Sequence, residues 1–265
     1  MLHQKLGKQH ADAIQSYDYV IVGAGSAGCV LADRLTESGD RRVLLLEAGG
    51  SDKRLDVHIP LFVGKLLNNP EVTWPFRSEP QLNLDGGSQL LVRGKLLGGS
   101  SSINGNVFVR GDPAEYDDWA KSGCTGWSYA ELLPYFKRLE RFAGGDGNVR
   151  GRNGPVTVTE LKNFDELSEA FLGSCEKSGI ALVDDYNDGS YAGAAYLQYS
   201  TRRGFRCSTA RAYLARARRR KNLRVLTGVT AERVLIDHGR ATGIKYRLTG
   251  KPDMRLAQRR RRQRI

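Results

Sequence analysis

Three glycines in Gly23-Ala24-Gly25-Ser26-Ala27-Gly28 follow directly on Tyr17-Asp18-Tyr19-Val20-Ile21-Val22. That spacing suits the holding of a diphosphate. Gly23 permits a tight turn, Gly25 lets backbone approach the phosphates, and Gly28 lets a helix pack closely on a strand. Ser26 opens the helix, where free amides and the helix dipole favour negative charge. A second apolar run, Val43-Leu44-Leu45-Leu46, ends in Glu47. An acid about 20 residues past the glycines is placed to take a ribose hydroxyl. It also repels a 2′-phosphate, which disfavours NADP. These residues do not by themselves separate NAD from FAD.

A second glycine-rich segment reads Arg93-Gly94-Lys95-Leu96-Leu97-Gly98-Gly99-Ser100-Ser101-Ser102-Ile103-Asn104-Gly105. Gly98 and Gly99 signal close backbone approach or unusual dihedrals. Three hydroxyls and an amide offer hydrogen bonds at a loop-to-helix boundary. Arg93 and Lys95 add cations suited to phosphate. Composition alone also fits a polar loop with an N-cap serine.

The elements that must position these groups are legible in outline. Val20, Ile21 and Val22 read as a buried parallel strand, and Ala27, Val30, Leu31 and Leu35 as one apolar helix face. Residues 48–92 read as loop-rich, broken by Pro60, Pro70, Pro75 and Pro80. Helices are expected over 129–142 and 164–178, the second stopped by Gly179. Strands are expected over 156–159, 223–226, 233–236 and 243–246. Asp184-Asp185-Tyr186-Asn187-Asp188 lacks the acid spacing of a calcium loop and reads as a plain loop.

The segment around Asn104 resembles the first signature of the glucose-methanol-choline oxidoreductases, flavoenzymes that oxidise alcohols. Gly94-Lys95, Gly98-Gly99-Ser100-Ser101, Ile103-Asn104, Phe108, Gly111 and Asp117 fall where that signature wants them. Leu46-Glu47-Ala48-Gly49, Gly126-Trp127-Ser128-Tyr129 and Arg206-Cys207-Ser208-Thr209-Ala210-Arg211-Ala212-Tyr213-Leu214 are similar to the family as well. The resemblance covers about residues 17 to 250 and is strongest to choline-dehydrogenase-like and aliphatic-alcohol dehydrogenase members. It implies an α/β fold, α+β overall. A Rossmann-like FAD-binding domain would carry part of a substrate-binding domain, C-terminally truncated. It implies an FAD site, with Gly23, Gly25, Ser26 and Gly28 on the pyrophosphate and Glu47 on the adenosine ribose. Leu96, Gly98, Gly99, Ser100, Asn104, Gly105, Asn106 and Val107 would meet the flavin half and Val229 the adenine, with Arg93 counted among the cofactor-binding residues as a cation. Some members carry a histidine where Ile103 stands and bind FAD covalently through it; here the expectation is non-covalent FAD.

The family's general base is a histidine in its C-terminal part. Here the histidines are His3, His10, His58 and His238, none in that context. No catalytic residue is therefore assigned. His3 and His10 lie in a polar extension, His58 in a loop and His238 in a turn. The expected Gly-Ala-x-x-Ser-Pro stretch soon after residue 250 is absent, and the sequence ends Arg259-Arg260-Arg261-Arg262-Gln263-Arg264-Ile265. The expectation is a truncated chain, its last residues read out of frame, with little or no turnover alone. A non-catalytic remnant and an NAD-binding Rossmann protein are the alternatives.

The expected divisions are a disordered extension over 1–16 and a first part of the FAD-binding domain over 17–160. A partial substrate-binding domain follows over 161–220, then a return to the FAD-binding domain over 221–250 and a basic, family-divergent tail over 251–265. The net charge is +12, of which residues 251–265 carry +6. A second basic cluster, Arg216, Arg218, Arg219, Arg220 and Lys221, reads as a solvated helix end. Neither cluster has interleaved aromatics, which argues against nucleic acid. The four cysteines, Cys29, Cys124, Cys175 and Cys207, form no Cys-x-x-Cys pair. No metal site is expected, and scattered thiols suit a reducing cytoplasm. No leader pattern or membrane-length apolar run is present in the sequence. The implied substrate is a small alcohol, with the electron acceptor open.

Overall fold

The computed structural model describes residues 15–161, 165–250 and 254–259. The described residues open with β1 (Gln15–Tyr17), β2 (Tyr19–Val22), α1 (Ser26–Leu35) and β3 (Val43–Leu46). Two short helices, α2 (Leu55–His58) and α3 (Val63–Leu67), precede a hairpin of β4 (Thr73–Arg77) and β5 (Leu90–Gly94). Next come α4 (Pro113–Lys121), α5 (Tyr129–Leu139), β6 (Glu140–Arg141), β7 (Val156–Thr157), β8 (Thr159–Glu160) and α6 (Glu166–Lys177). Short strands β9 (Gln198–Tyr199), β10 (Thr201–Arg202) and β11 (Phe205–Arg206) lead into a π-helical turn, Ala210–Leu214, and α7 (Ala215–Ala217). The last described elements are β12 (Leu223–Leu226), β13 (Val229–Asp237), β14 (Arg240–Leu248) and β15 (Met254–Arg259).

The frame of the molecule is a parallel sheet in the order β12-β3-β2, in register Leu223↔Val43 and Tyr19↔Val43. Its central strand β3 is buried throughout, and its side chains alternate between two cores because successive residues point to opposite faces. Val43 and Leu45 pack with Cys29, Ala32, Tyr213 and Leu214. Leu44 and Leu46 pack with Tyr17, Val229, Ile244 and Tyr246. The second core is closed by a four-stranded sheet, β1-β15-β14-β13. A third cluster of Val57, Leu66, Val72, Leu96 and Ile103 sits under the 48–92 region.

Several local expectations are corrected. Val22 is 55% exposed rather than buried, whereas Ile21 before it on β2 is buried at 8%. The buried face of α1 is Gly28, Cys29, Ala32 and Asp33, and Leu31 is 48% exposed. The helix therefore turns small residues and fully buried Asp33 inward, while Val30 and Leu35 of the expected face pack at the margin of the first core. Arg216 grips the Asp33 carboxylate through Nε at 2.9 Å and Nη2 at 2.5 Å, and Arg220 adds an ion pair at 3.1 Å. Two members of the supposedly solvated basic cluster thus lock α1 to the segment around α7. Residues 48–92 contain two helices and a hairpin besides loops, and His58 ends α2. The 129–142 helix stops at Leu139 because Glu140 and Arg141 pair with Val156 and Thr157. Gln15 and Ser16, inside the expected extension, pair with Ala257 and Gln258, so residues 254–259 of the basic tail form a strand. His3, His10 and residues 260–265 lie outside the described residues.

Candidate functional site

Four segments far apart in sequence meet at the carboxyl ends of β2 and β3. Gly23 leaves β2 with its N–H on the Leu46 carbonyl at 2.7 Å. The Ala24 N–H donates to Glu47 Oε2 at 2.7 Å, and the Gly49 N–H to Oε1 at 2.8 Å. The Gly98 N–H reaches the Ala24 carbonyl at 2.7 Å, and the Leu97 N–H the Gly50 carbonyl at 3.0 Å. The Val229 N–H donates to the Glu47 carbonyl and the Gly228 N–H to that of Gly49, both at 2.9 Å. The two glycine motifs, the acid after β3 and the start of β13 therefore form one wall.

Glycine is required where backbones meet. A Cβ on Gly28 would lie 2.0 Å from the Gly23 carbonyl oxygen, so α1 approaches the turn as closely as it does because none is there. Gly99 has φ +53°, and its Cβ would stand 2.7 Å from the Gly25 Cα. Gly25 is different: a Cβ there would meet nothing within 4 Å. Gly25 caps α1 without a side-chain hydrogen bond, and the first turn holds no acid. The first amides of a helix have no intrahelical partner. A bare helix N-terminus beside open space fits the pyrophosphate of a dinucleotide.

Glu47 is buried, and burial raises its carboxyl above the usual range against the opposing pull of the Gly49 and Ala24 amides. Each oxygen already accepts an amide, and each retains a lone pair for a hydroxyl. Ser26 is exposed at the first turn. Ser100 accepts the Gly94 N–H at 3.1 Å. Ser101 Oγ donates to the Gly98 carbonyl at 2.6 Å and lies 2.9 Å from Thr209 Oγ1. Leu96, Gly98 and Gly99 are buried in the wall, whereas Asn104, Gly105 and Val107 are exposed and Asn106 is buried at φ +63°. Arg93 stands apart, exposed on β5 with Nη1 on the Val92 carbonyl at 2.9 Å. Val229 is buried.

Sequence reasoning missed the residues that hold these loops from behind. Arg206 reaches the carbonyl and side chain of Asn104, and the signal for it was the Arg206-Cys207-Ser208-Thr209 stretch, to which no role was given. A buried ionic network was also missed. Arg110, Glu140, Arg150, Asp185, Asn187 and Gln198 interlock and anchor the stretch after Val107. The Phe108 N–H bonds the Gln198 carbonyl, and Asn187 Nδ2 bonds the Phe108 carbonyl. Of the described histidines, His238 is exposed in the β13–β14 turn and His58 is partly buried, and its Nδ1 meets no partner among the described residues. Among the described residues no helix is long and apolar enough to cross a membrane.

The chain is 43% identical to the oxygen-dependent choline dehydrogenase of Vibrio vulnificus over 238 residues, covering 89% of this chain and 42% of that protein. It is 44% identical to that of Photobacterium profundum, with the same coverage of each. It spans less than half the length of the curated relatives it matches. Among solved structures, pyridoxine 4-oxidase from Mesorbium loti superposes with a TM-score of 0.86 and 31% identity, over 92% of this chain and 48% of that one. An FAD-dependent oxidoreductase from Chaetomium thermophilum gives 0.85 and 30%, over 92% and 44%. The model of the GMC oxidoreductase N-terminal part matches residues 17–263, and the chain belongs to the GMC oxidoreductase family.

Proposed function

We propose that this chain forms the FAD cradle of an oxidoreductase acting on the CH–OH group of a small alcohol, choline-like or primary aliphatic. The observation that carries the reading is the convergence of the bare α1 N-terminus, Glu47 and the 98–107 loop on one open approach at Gly25. Gly23, Gly25, Ser26 and Gly28 would hold the pyrophosphate, Glu47 the ribose, and Val229 the adenine. Leu96, Gly98, Gly99, Ser100, Asn104, Gly105, Asn106 and Val107 would hold the flavin half, while Arg93, exposed on β5, would act only as a more distant cation. When bound, FAD supplies the two-electron acceptor for the alcohol. Ser101 and Thr209 hold the Gly98 turn in place, and the Asn104 side chain accepts the Asn106 N–H at 3.2 Å, which fixes the loop.

Binding would be non-covalent. Ile103 occupies the position of the attaching histidine and points into the core with Val57 and Leu66. We expect little turnover from the chain as given. His238 is exposed on a hairpin, and His58 is held toward its neutral form by burial, then by Arg211. General acid–base catalysis contributes about 10²–10⁴-fold. A second reading, a cradle that needs further polypeptide to be stable, is favoured by bare apolar side chains: Leu61 is 86% and Leu82 96% exposed.

The test is the visible spectrum of the purified chain, with the cofactor identified by mass after denaturation. Released FAD, lost in Gly25→Val while the far-UV spectrum is kept, is the expected result. A Cβ on Gly25 meets no protein atom within 4 Å, so the variant's side chain starts in the ligand's approach. Released NAD, or FAD still held by Gly25→Val, overturns the assignment. Flavin remaining on the denatured polypeptide overturns non-covalent binding, and brisk choline oxidation overturns the expected inactivity. Insoluble, colourless protein favours the second reading.

A further inference from the structure

Arg206 is 1% exposed, yet among the described residues every partner it has is a neutral oxygen. Its Nε donates to the Val57 carbonyl at 2.9 Å. Its Nη1 lies 2.5 Å from the Asn104 carbonyl, 2.8 Å from Asn104 Oδ1 and 2.7 Å from Asn106 Oδ1. Its Nη2 meets no acceptor among the described residues, and neither does Asn106 Nδ2 beside it. Burial alone acts on the guanidinium and pulls its pKa down to about 10, so it still carries its charge at neutral pH. The contrast with Arg110 and Arg150 is sharp, since those buried cations are paired with Glu140 and Asp185.

A buried charge without a counter-ion costs several kcal/mol, and such groups are kept where a site uses the field. The cation grips Asn104 and Asn106, and between them Gly105 is exposed with nothing within 4 Å of its Cβ position. Two donors left without acceptors mean that the pocket tolerates more negative charge there and no more positive charge.

We propose that Arg206 is a positioning residue that fixes the 101–106 loop and sets an uncompensated positive charge behind the loop that would meet the flavin, raising the reduction potential of the bound cofactor. The proposal rests on the FAD reading above. Two-electron reduction adds negative charge to the ring, and a nearby cation favours that state.

Asn106→Asp is the discriminating variant. Asn106 Nδ2 has no partner to lose, aspartate tolerates the left-handed backbone, and the new carboxylate neutralises Arg206 through the existing contact. The reduction potential is read by dye equilibration on the flavin-loaded chain, alongside the thermal midpoint. Asn106→Asp should fold at least as stably as wild type. Its two-electron reduction constant should fall tenfold or more, which is ~30 mV. Arg206→Met should shift the potential the same way. Arg206→Lys, which keeps the charge but loses the fork, should stay near the wild-type potential while holding FAD more weakly. An unchanged potential in folded, flavin-bound Asn106→Asp overturns this proposal alone. A wild-type chain that takes up no flavin overturns the cofactor reading, and this proposal with it.

Discussion

Glu140→Gln should be among the most damaging isosteric substitutions in this chain. The Glu140 side chain is fully buried. Its Oε1 accepts Arg110 Nη2 at 2.7 Å, Arg150 Nε at 2.9 Å and the Gly151 N–H at 2.7 Å, and its Oε2 accepts Arg150 Nη2 at 3.1 Å. With Asp185 on Arg150, the network holds two cations and two anions and is neutral. Glutamine keeps the shape but removes the charge and turns an NH₂ toward a guanidinium. Breaking a buried pair on one side costs about 3–5 kcal/mol. That is a large share of a typical stability of about 5–15 kcal/mol. Urea unfolding, followed by the fluorescence of Trp74, Trp119 and Trp127, reads the loss. Lys121→Ala is the control. Its pair with Asp118 is solvent-exposed, and such pairs contribute little to stability. A Glu140→Gln loss no larger than the control's, with an unchanged m-value, would refute the reasoning. Arg110→Met added to Glu140→Gln removes the cation that the substitution strands, since Arg150 keeps Asp185. The double variant should therefore lose less than the sum of the singles, with a coupling of about 0.5–3 kcal/mol.

Two further outcomes are expected. Gly28→Ala should destabilise by about 1–3 kcal/mol, because the new methyl must displace the Gly23 carbonyl; thermal unfolding reads it, and the modest stabilisation usual for glycine-to-alanine in a helix would contradict the close contact. His58 is held below its ordinary 6.5 by burial first, then by Arg211, opposed by Asp52 and reinforced by Arg206. The unfolded chain then binds the proton more readily, so stability present above 6.5 should fall as pH drops below it. The thermal midpoint at pH 5 and pH 7 should differ less in His58→Gln than in wild type, and equal differences would exclude His58 as the cause.

The cradle was legible in the sequence because its demands are local. A left-handed turn at Gly23, a helix that must touch that turn at Gly28 and an acid at the end of the next strand each dictate residue type within a short stretch. The parallel frame was legible too, since β3 had to be apolar at every position to be covered on both faces. What surrounds the cradle was decided by tertiary structure. Charged residues read as surface from sequence, because most are. Nothing near Asp33 announces that Arg216, 183 residues on, will bury it, and nothing near Asn104 announces Arg206, 102 residues away. The exposure of Val22 beside buried Ile21 depends on what packs over each face of β2, which its own residues do not encode. Backbone constraints leave their mark at the residue that bears them. A buried charge is specified by its partner, and only the fold brings the partner to it.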